Sequence, residues 1–198
     1  MIAICIPTRG YLFTETVESV LSNLEWFKHK IYFTKDLPIP DCFNEVTERA
    51  LKDRPTHIWY VEEDVVPPKN ALECMMELNK DYVAIDYPIL PGQGCIGFYN
   101  GKVNWTGLGC TLIKTEALLK LKKPYFQSKT FFIHKDKRVT FEETDIPSSY
   151  GGQDIYLGLK LNKIGITLTV LDGKCRHLKI KEKGSEGNSG CHTIIEKG

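Results

Sequence analysis

The stretch HIWYVEEDVVPP, His57 to Pro68, sets five mostly apolar residues before three consecutive carboxylates and closes on two prolines. Its apolar half has the length and character of a strand covered on both faces, the type that parallel sheets use. The charged half admits two readings. In one, Glu62, Glu63 and Asp64 are solvated residues at a strand's exit, an ordinary place for charge. In the other they stand where open α/β sheets bind ligands, at the carboxyl ends of strands, and hold a divalent cation with a phosphorylated ligand. The triplet alone does not choose between them.

Outward from this strand the same pattern recurs. Residues 2–6 are a continuous apolar run ended by Pro7, and behind them Val17, Val20, Leu21 and Leu24 recur at helical spacing with Thr14 as the expected N-cap. A strand over 31–33, a helix over 43–51, the strand His57–Val61, a helix over 72–78 and a strand over 82–85 continue the alternation. Such alternation predicts βαβ units, hence an α/β fold with a mostly parallel sheet and helices on both faces. Asn100-Gly101 then falls between two short β-like runs, a signal for a two-residue hairpin, so the sheet is expected to be mixed. Thr115 opens a helix running through Leu121 and stopped by Pro124, KTFFIHKDKRVTF reads as a strand region, Gln153–Lys163 as a helix ended by Gly165, and ITLTVL (166–171) as the last strand.

From Lys179 the chain is rich in Lys, Glu, Gly and Ser with little to bury. Residues 179–198 are therefore expected to form a mobile tail or lid behind a single domain over 1–178. A chain of 198 residues supports one sizeable core, and 42% hydrophobic with 26% charged residues is ordinary for a soluble protein. The formal net charge of +1 argues against a nucleic-acid partner. No apolar run is long enough to span a bilayer and no basic leader precedes the first strand, so a cytoplasmic protein without a transmembrane segment is expected. Seven cysteines without a CxxC pair read as buried thiols. Cys175, His177, Cys191 and His192 admit a zinc reading, in a spacing that matches no common finger.

Taken in order, several segments resemble the metal-dependent glycosyltransferases of the GT-A fold, and within them the inverting, family 2-like group. IAICIPTRG resembles the opening strand of that family, which implies that Pro7, Thr8 and Arg9 meet the nucleotide. DCFNEVTERAL is similar to a segment that carries Arg-Asn at a helix start, which brings Asn44 toward the nucleotide, with Phe43 where the Arg would stand; an ordinary capping role for Asn44 is the alternative. YVEEDVVPP resembles the DxD motif, which implies that Asp64 coordinates Mn²⁺ or Mg²⁺ through a diphosphate while Glu62 faces the ribose or a metal-bound water, with Glu63 between them among the nucleotide-sugar contacts. Most members carry Asp where this chain has Glu62.

NWTGLGCTLIKTEAL resembles the segment leading to the acceptor side, where Gly107 and Gly109 would let backbone approach the donor sugar and Trp105 would stack on a sugar face. For Trp105 a buried core position is the other reading. GGQDIYLGLKLNKIG resembles the family's GEDxDL segment, which implies Asp154 as catalytic base; a favourable charge in a helix's first turn is the bland alternative. Gln153 replaces the family's Glu. LDGKCRHL puts His177 just past the last strand, where the family often has a metal-ligating His. The resemblance implies transfer of a sugar from a nucleotide-sugar, UDP- or GDP-linked, to a hydroxyl of a glycan, lipid-linked or protein acceptor. Two rivals stay open: a nucleotidyltransferase that makes a sugar nucleotide, and a non-catalytic carbohydrate- or nucleotide-binding protein on the same fold.

Overall fold

Alternation along residues 2–6 sends Ile2, Ile4 and Ile6 to one face of strand β1 (Ile2–Pro7) and Ala3 and Cys5 to the other, and both faces are covered. The computed structural model describes residues 1–99, 102–128, 131–133, 139–141, 152–181 and 193–196. After β1 come α1 (Thr14–Asn23), β2 (His29–Thr34), α2 (Asp41–Lys52), β3 (His57–Val61), the two-residue β4 (Val65–Val66), α3 (Ala71–Glu77) and β5 (Tyr82–Asp86). Two hairpins follow, β6 (Pro88–Leu90) with β7 (Gln93–Gly94) and β8 (Ile96–Tyr99) with β9 (Lys102–Thr106). The chain then runs through β10 (Cys110–Lys114), α4 (Thr115–Leu119), the hairpin β11 (Phe131–Ile133) and β12 (Val139–Phe141), α5 (Gln153–Lys163), β13 (Thr169–Lys174), β14 (Arg176–Lys181) and β15 (Thr193–Glu196).

Six of these strands form the central sheet in the order β13-β5-β10-β3-β1-β2. Only β10 runs antiparallel to its neighbours, so the sheet is mixed and mostly parallel. Helices α2, α4 and α5 cover one face, where Phe43, Val46, Leu118 and Leu157 meet Cys5, Ile58, Tyr60 and Ile113. Helices α1 and α3 cover the other, where Val20, Leu72 and Met75 meet Ile4, Trp59, Val61 and Val83. A fully buried side chain of this size contributes about 1.5–3 kcal/mol, so a sheet sealed on both faces supplies the stable frame that its strand ends need.

Several sequence expectations shift in detail. Phe13, not Thr14, is the cap residue of α1, with no side-chain capping bond. The last parallel strand lies over 169–174 rather than 166–171, because its pairing with β5 begins at Thr169 opposite Val83. Strand β10 was not foreseen: its five residues sit in an apolar run leading straight into α4, and its place between β3 and β5 depends on pairing with strands far away in sequence. Asn100 and Gly101 lie outside the described residues, although the strands that flank them, β8 and β9, pair antiparallel. The boundary drawn at Lys179 falls inside β14, which pairs with β15 through Lys179 opposite Ile195. Cys191 and His192 lie outside the described residues, and Cys175 is a buried free thiol. Among the described residues no helix is long and apolar enough to cross a membrane.

Candidate functional site

Strands β1, β3, β5 and β13 all end on one edge of the sheet, and a cleft of about 660 Å³ opens there. Its walls take Thr8 and Arg9 from the end of β1, Glu62, Glu63 and Asp64 from the end of β3, and Tyr87 from the end of β5. Gln153 and Asp154 enter from the start of α5, His177 from β14, and Leu37, Ile39 and Phe43 make an apolar side. The opening triplet therefore faces a cavity.

A two-residue strand register brings Asp64 to His177. Strand β14 pairs antiparallel with β4, His177 opposite Val65, and the Leu178 N–H donates to the Asp64 carbonyl at 2.8 Å. His177 Nε2 then lies 3.4 Å from Asp64 Oδ2. On its other side His177 Nδ1 is 2.7 Å from the Pro88 carbonyl oxygen, which can only accept, so Nδ1 carries the proton and Nε2 is turned to the carboxylate. The ring is packed edge-on against Tyr87, with centroids 5.2 Å apart at 85°.

The neighbouring carboxylates have different surroundings. Glu63 is 4% exposed and clamps the loop after β1: it accepts from the Arg9 backbone N–H at 2.6 Å, forms a close ion pair with the Arg9 guanidinium, and its carbonyl accepts from Phe13 N–H at 3.2 Å. Arg9 Nη2 also lies 3.6 Å from Asp64 Oδ2. Thr8 Oγ1 shapes the same loop, donating to the Tyr11 carbonyl at 2.7 Å and accepting from Gly10 N–H at 2.9 Å. Glu62 accepts from the Tyr87 hydroxyl at 3.2 Å. Burial, with the charges of Asp64 and Asp154 nearby, pushes the Glu62 carboxyl up to about 8.

Asp154 stands in the first turn of α5, after Gly152 at φ 79°, ψ −4°, a left-handed conformation that favours glycine. Its Oδ1 accepts from the Ile155 N–H at 2.9 Å. Burial raises its carboxyl above the usual carboxylate range, against the lowering effect of the backbone N–H groups of Ile155 and of Asp154 itself. Beside it Gln153 is 8% exposed and its Oε1 has no hydrogen-bond partner, an unmet acceptor in a residue that lines the cleft.

Pro7, Thr8, Arg9, Glu62, Glu63, Asp64, Asp154 and His177 thus meet at one cleft, while four other candidates lie away from its wall. Asn44 clips α2 to the segment around Phe126, donating to the Phe126 carbonyl at 2.8 Å and accepting from its N–H at 3.1 Å. Trp105 is 8% exposed and packed between two glycines; a Cβ on Gly97 would come 1.9 Å from its ring and one on Gly158 2.6 Å from its Cβ. A Cβ on Gly107 would come 2.1 Å from Tyr87 Oη, and one on Gly109 2.5 Å from Val65 and 2.8 Å from the Tyr87 ring. Their smallness admits Tyr87, which no sequence reading singled out. Tyr87 Oη also accepts from the Gly109 N–H at 3.3 Å, so one phenol links Gly109, Glu62 and His177. The paired glycines were the one sequence signal of a close approach; what approaches them lay some twenty residues earlier.

A carboxylate oxygen and an imidazole nitrogen turned to each other suit a borderline cation such as Mn²⁺ better than Mg²⁺, which takes oxygen ligands. Among the described residues no group of three or more such side chains is gathered, so Asp64 and His177 are by themselves an incomplete set for any cation.

No protein-family profile matches the chain, and no curated protein sequence matches it. Solved structures do. The crystal structure of A197 from STIV superposes with a TM-score of 0.60 at 18% identity, covering 100% of this chain and 94% of that one. The catalytic domain of Drosophila β1,4-galactosyltransferase 7, in complex with xylobiose, superposes with a TM-score of 0.53 at 16% identity over 87% of this chain. The chain spans 65% of that galactosyltransferase structure. The fold is GT-A-like, a glycosyltransferase fold, and at these identities the likeness is one of fold.

Proposed function

We propose that the protein transfers a sugar from a UDP- or GDP-sugar to a hydroxyl of a glycan, lipid-linked or protein acceptor, by direct displacement with inversion. The observation that carries this reading is the meeting, in one cleft, of the Asp64–His177 pair with a half-buried carboxyl at the start of α5. The apolar side made by Leu37, Ile39 and Phe43 suits a nucleobase, and Pro7, Thr8 and Arg9 border the nucleotide. Asp64 and His177 would hold Mn²⁺ or Mg²⁺, which would supply positive charge to neutralise the departing diphosphate. Glu62 faces the ribose. Asp154 hydrogen-bonds the acceptor hydroxyl and takes its proton as the hydroxyl oxygen attacks the anomeric carbon; a carboxyl raised by burial is a better proton acceptor than an exposed one.

Calorimetry with UDP and GDP, with and without Mn²⁺, tests the reading. Binding is expected to strengthen at least about tenfold with the cation, and Asp64→Ala or His177→Ala to remove that gain. Equal affinity in the presence of a chelator overturns the metal roles. Pyrophosphate release from a sugar phosphate and a nucleoside triphosphate would replace the transferase reading with the nucleotidyltransferase one.

A further inference from the structure

At the far end of α1 from the cleft lies a second concavity, a groove of about 340 Å³. Ser22, Glu25 and Trp26 form one wall, and Lys69, Asn70 and Glu73 face them. Trp26 is 84% exposed, whereas Trp59 and Trp105 are 0% and 8% exposed. An indole carries about 150–250 Å² of largely apolar surface, and leaving it in water is unfavourable unless something covers it.

The groove is braced. Asn23, 5% exposed at the end of α1, donates through Nδ2 to the Ser19 carbonyl at 2.9 Å and the Pro68 carbonyl at 3.1 Å, and accepts from Leu72 N–H at 3.1 Å. Ser19 Oγ donates to the Pro67 carbonyl at 2.6 Å. These bonds tie one wall to the other, so the shape is set before any ligand arrives. Asn70 is held in the left-handed region at φ 61°, ψ 15°, and its side chain makes no capping bond. Among the described residues the side chains of Glu25, Lys69, Asn70 and Glu73 have no hydrogen-bond or ion-pair partner, and all four are exposed.

The lining chemistry selects the occupant. An apolar peptide or a second copy of the chain would want a broadly apolar lining, and beside Trp26 the groove has only the half-buried Phe27 among six polar residues. An anion would meet two carboxylates, and a cation would meet Lys69. A neutral sugar satisfies every group: its C–H face lies on the indole, and its hydroxyls donate to carboxylates and exchange hydrogen bonds with the amide. We propose that this groove binds a neutral pyranose unit of a glycan, stacked on Trp26 and hydrogen-bonded by Asn70, Glu73 and Glu25. The site is separate from the cleft: Phe13, just before α1, borders the cleft, and Trp26 comes just after a helix that spans about 15 Å. The proposal stands independently of the transferase reading.

The test follows Trp26 itself, because quenching by acrylamide reports the one exposed indole among three. Maltopentaose, cellopentaose, xylopentaose and chitopentaose are titrated to about 20 mM, and at least one is expected to protect Trp26 with a Kd on the order of 1 mM, as suits a small shallow contact. Saturation-transfer NMR with the same sugar should lose its signal in Trp26→Ala and show about three- to tenfold weaker binding in Asn70→Gly, which keeps the left-handed backbone, and in Glu73→Gln. These are surface positions, and unchanged melting temperatures verify that the variants fold. Four results overturn the proposal: no protection by any of the four sugars, full binding by Trp26→Ala, unchanged affinity in both polar variants, or protection that rises with protein concentration alone, which would make the occupant a second copy.

Discussion

Residues 62–64 and residues 107–109 border the same edge of the sheet and touch, Glu62 N–H donating to the Gly109 carbonyl at 3.4 Å. One segment carries charge into the cleft; the other turns Leu108 into the core and lets Tyr87 lie against its two glycines. The first is a wall and the second its backing. The difference teaches that a ligand site needs two kinds of residue: groups that meet the ligand, and small ones whose absence of volume fixes where those groups stand. Replacing the desolvated carboxyls Glu62 and Asp154 should alter chemistry and raise or preserve stability, while substitutions in the backing should lower stability first.

Asp154→Asn gives the largest expected effect. It keeps size and hydrogen bonding but accepts no proton, so transfer should fall by ~10²–10⁴ while donor affinity stays within a few-fold. Thermal melting should show no loss, because a carboxyl raised by burial is an unfavourable charge to hold there. Wild-type transfer in this variant would take Asp154 out of the mechanism and direct attention to Glu142, Glu143 and Asp145, which lie outside the described residues.

Glu62→Gln comes next. In the folded chain this carboxyl sits at about 8 against an ordinary 4.5. As pH rises from 4.5 the unfolded chain gives up its proton first, so the wild type loses stability between pH 4.5 and 8. The Gln variant does not. Urea midpoints should agree below pH 4.5 and favour the variant above pH 8 by about 2–4 kcal/mol, discounted for partial exposure. Parallel pH profiles for the two chains would show that Glu62 is not desolvated.

Gly107→Ala tests the backing. A Cβ 2.1 Å from Tyr87 Oη forces the ring or the loop to move, and overpacking of this kind costs about 1–3 kcal/mol, a fall of a few degrees in melting temperature. An unchanged melting temperature would mean that Tyr87 is free to yield and that the segment is no backing at all.

Much of the frame was legible because it is written locally. The runs at 2–6 and 58–61 are apolar throughout, and a strand sealed on both faces leaves that mark. The acidic triplet and Asp154 were legible as chemistry because charge next to a strand end or at a helix start has few uses. Tyr87 was not: its meaning comes from Glu62, Gly107, Gly109 and His177, all placed by pairing between distant strands. Trp105 read equally as a ligand contact or packing and Asn44 as a ligand contact or a cap, and their surroundings, Gly97 with Gly158 for one and Phe126 for the other, are three-dimensional facts. Asp64 meets His177 through a two-residue strand that no hydropathy pattern marks.

Strand β10 sits between β3 and β5 although it follows both in the chain. During synthesis β3 and β5 emerge first, and neither can pair with the other across the space left for a strand not yet made. Each waits with an open edge of unpaired N–H and C=O groups, the kind of edge that recruits foreign strands. Only when residues 110–114 leave the ribosome can these two strands be joined, so the nascent chain carries an open edge on β3 from the synthesis of Val61 until that of Lys114.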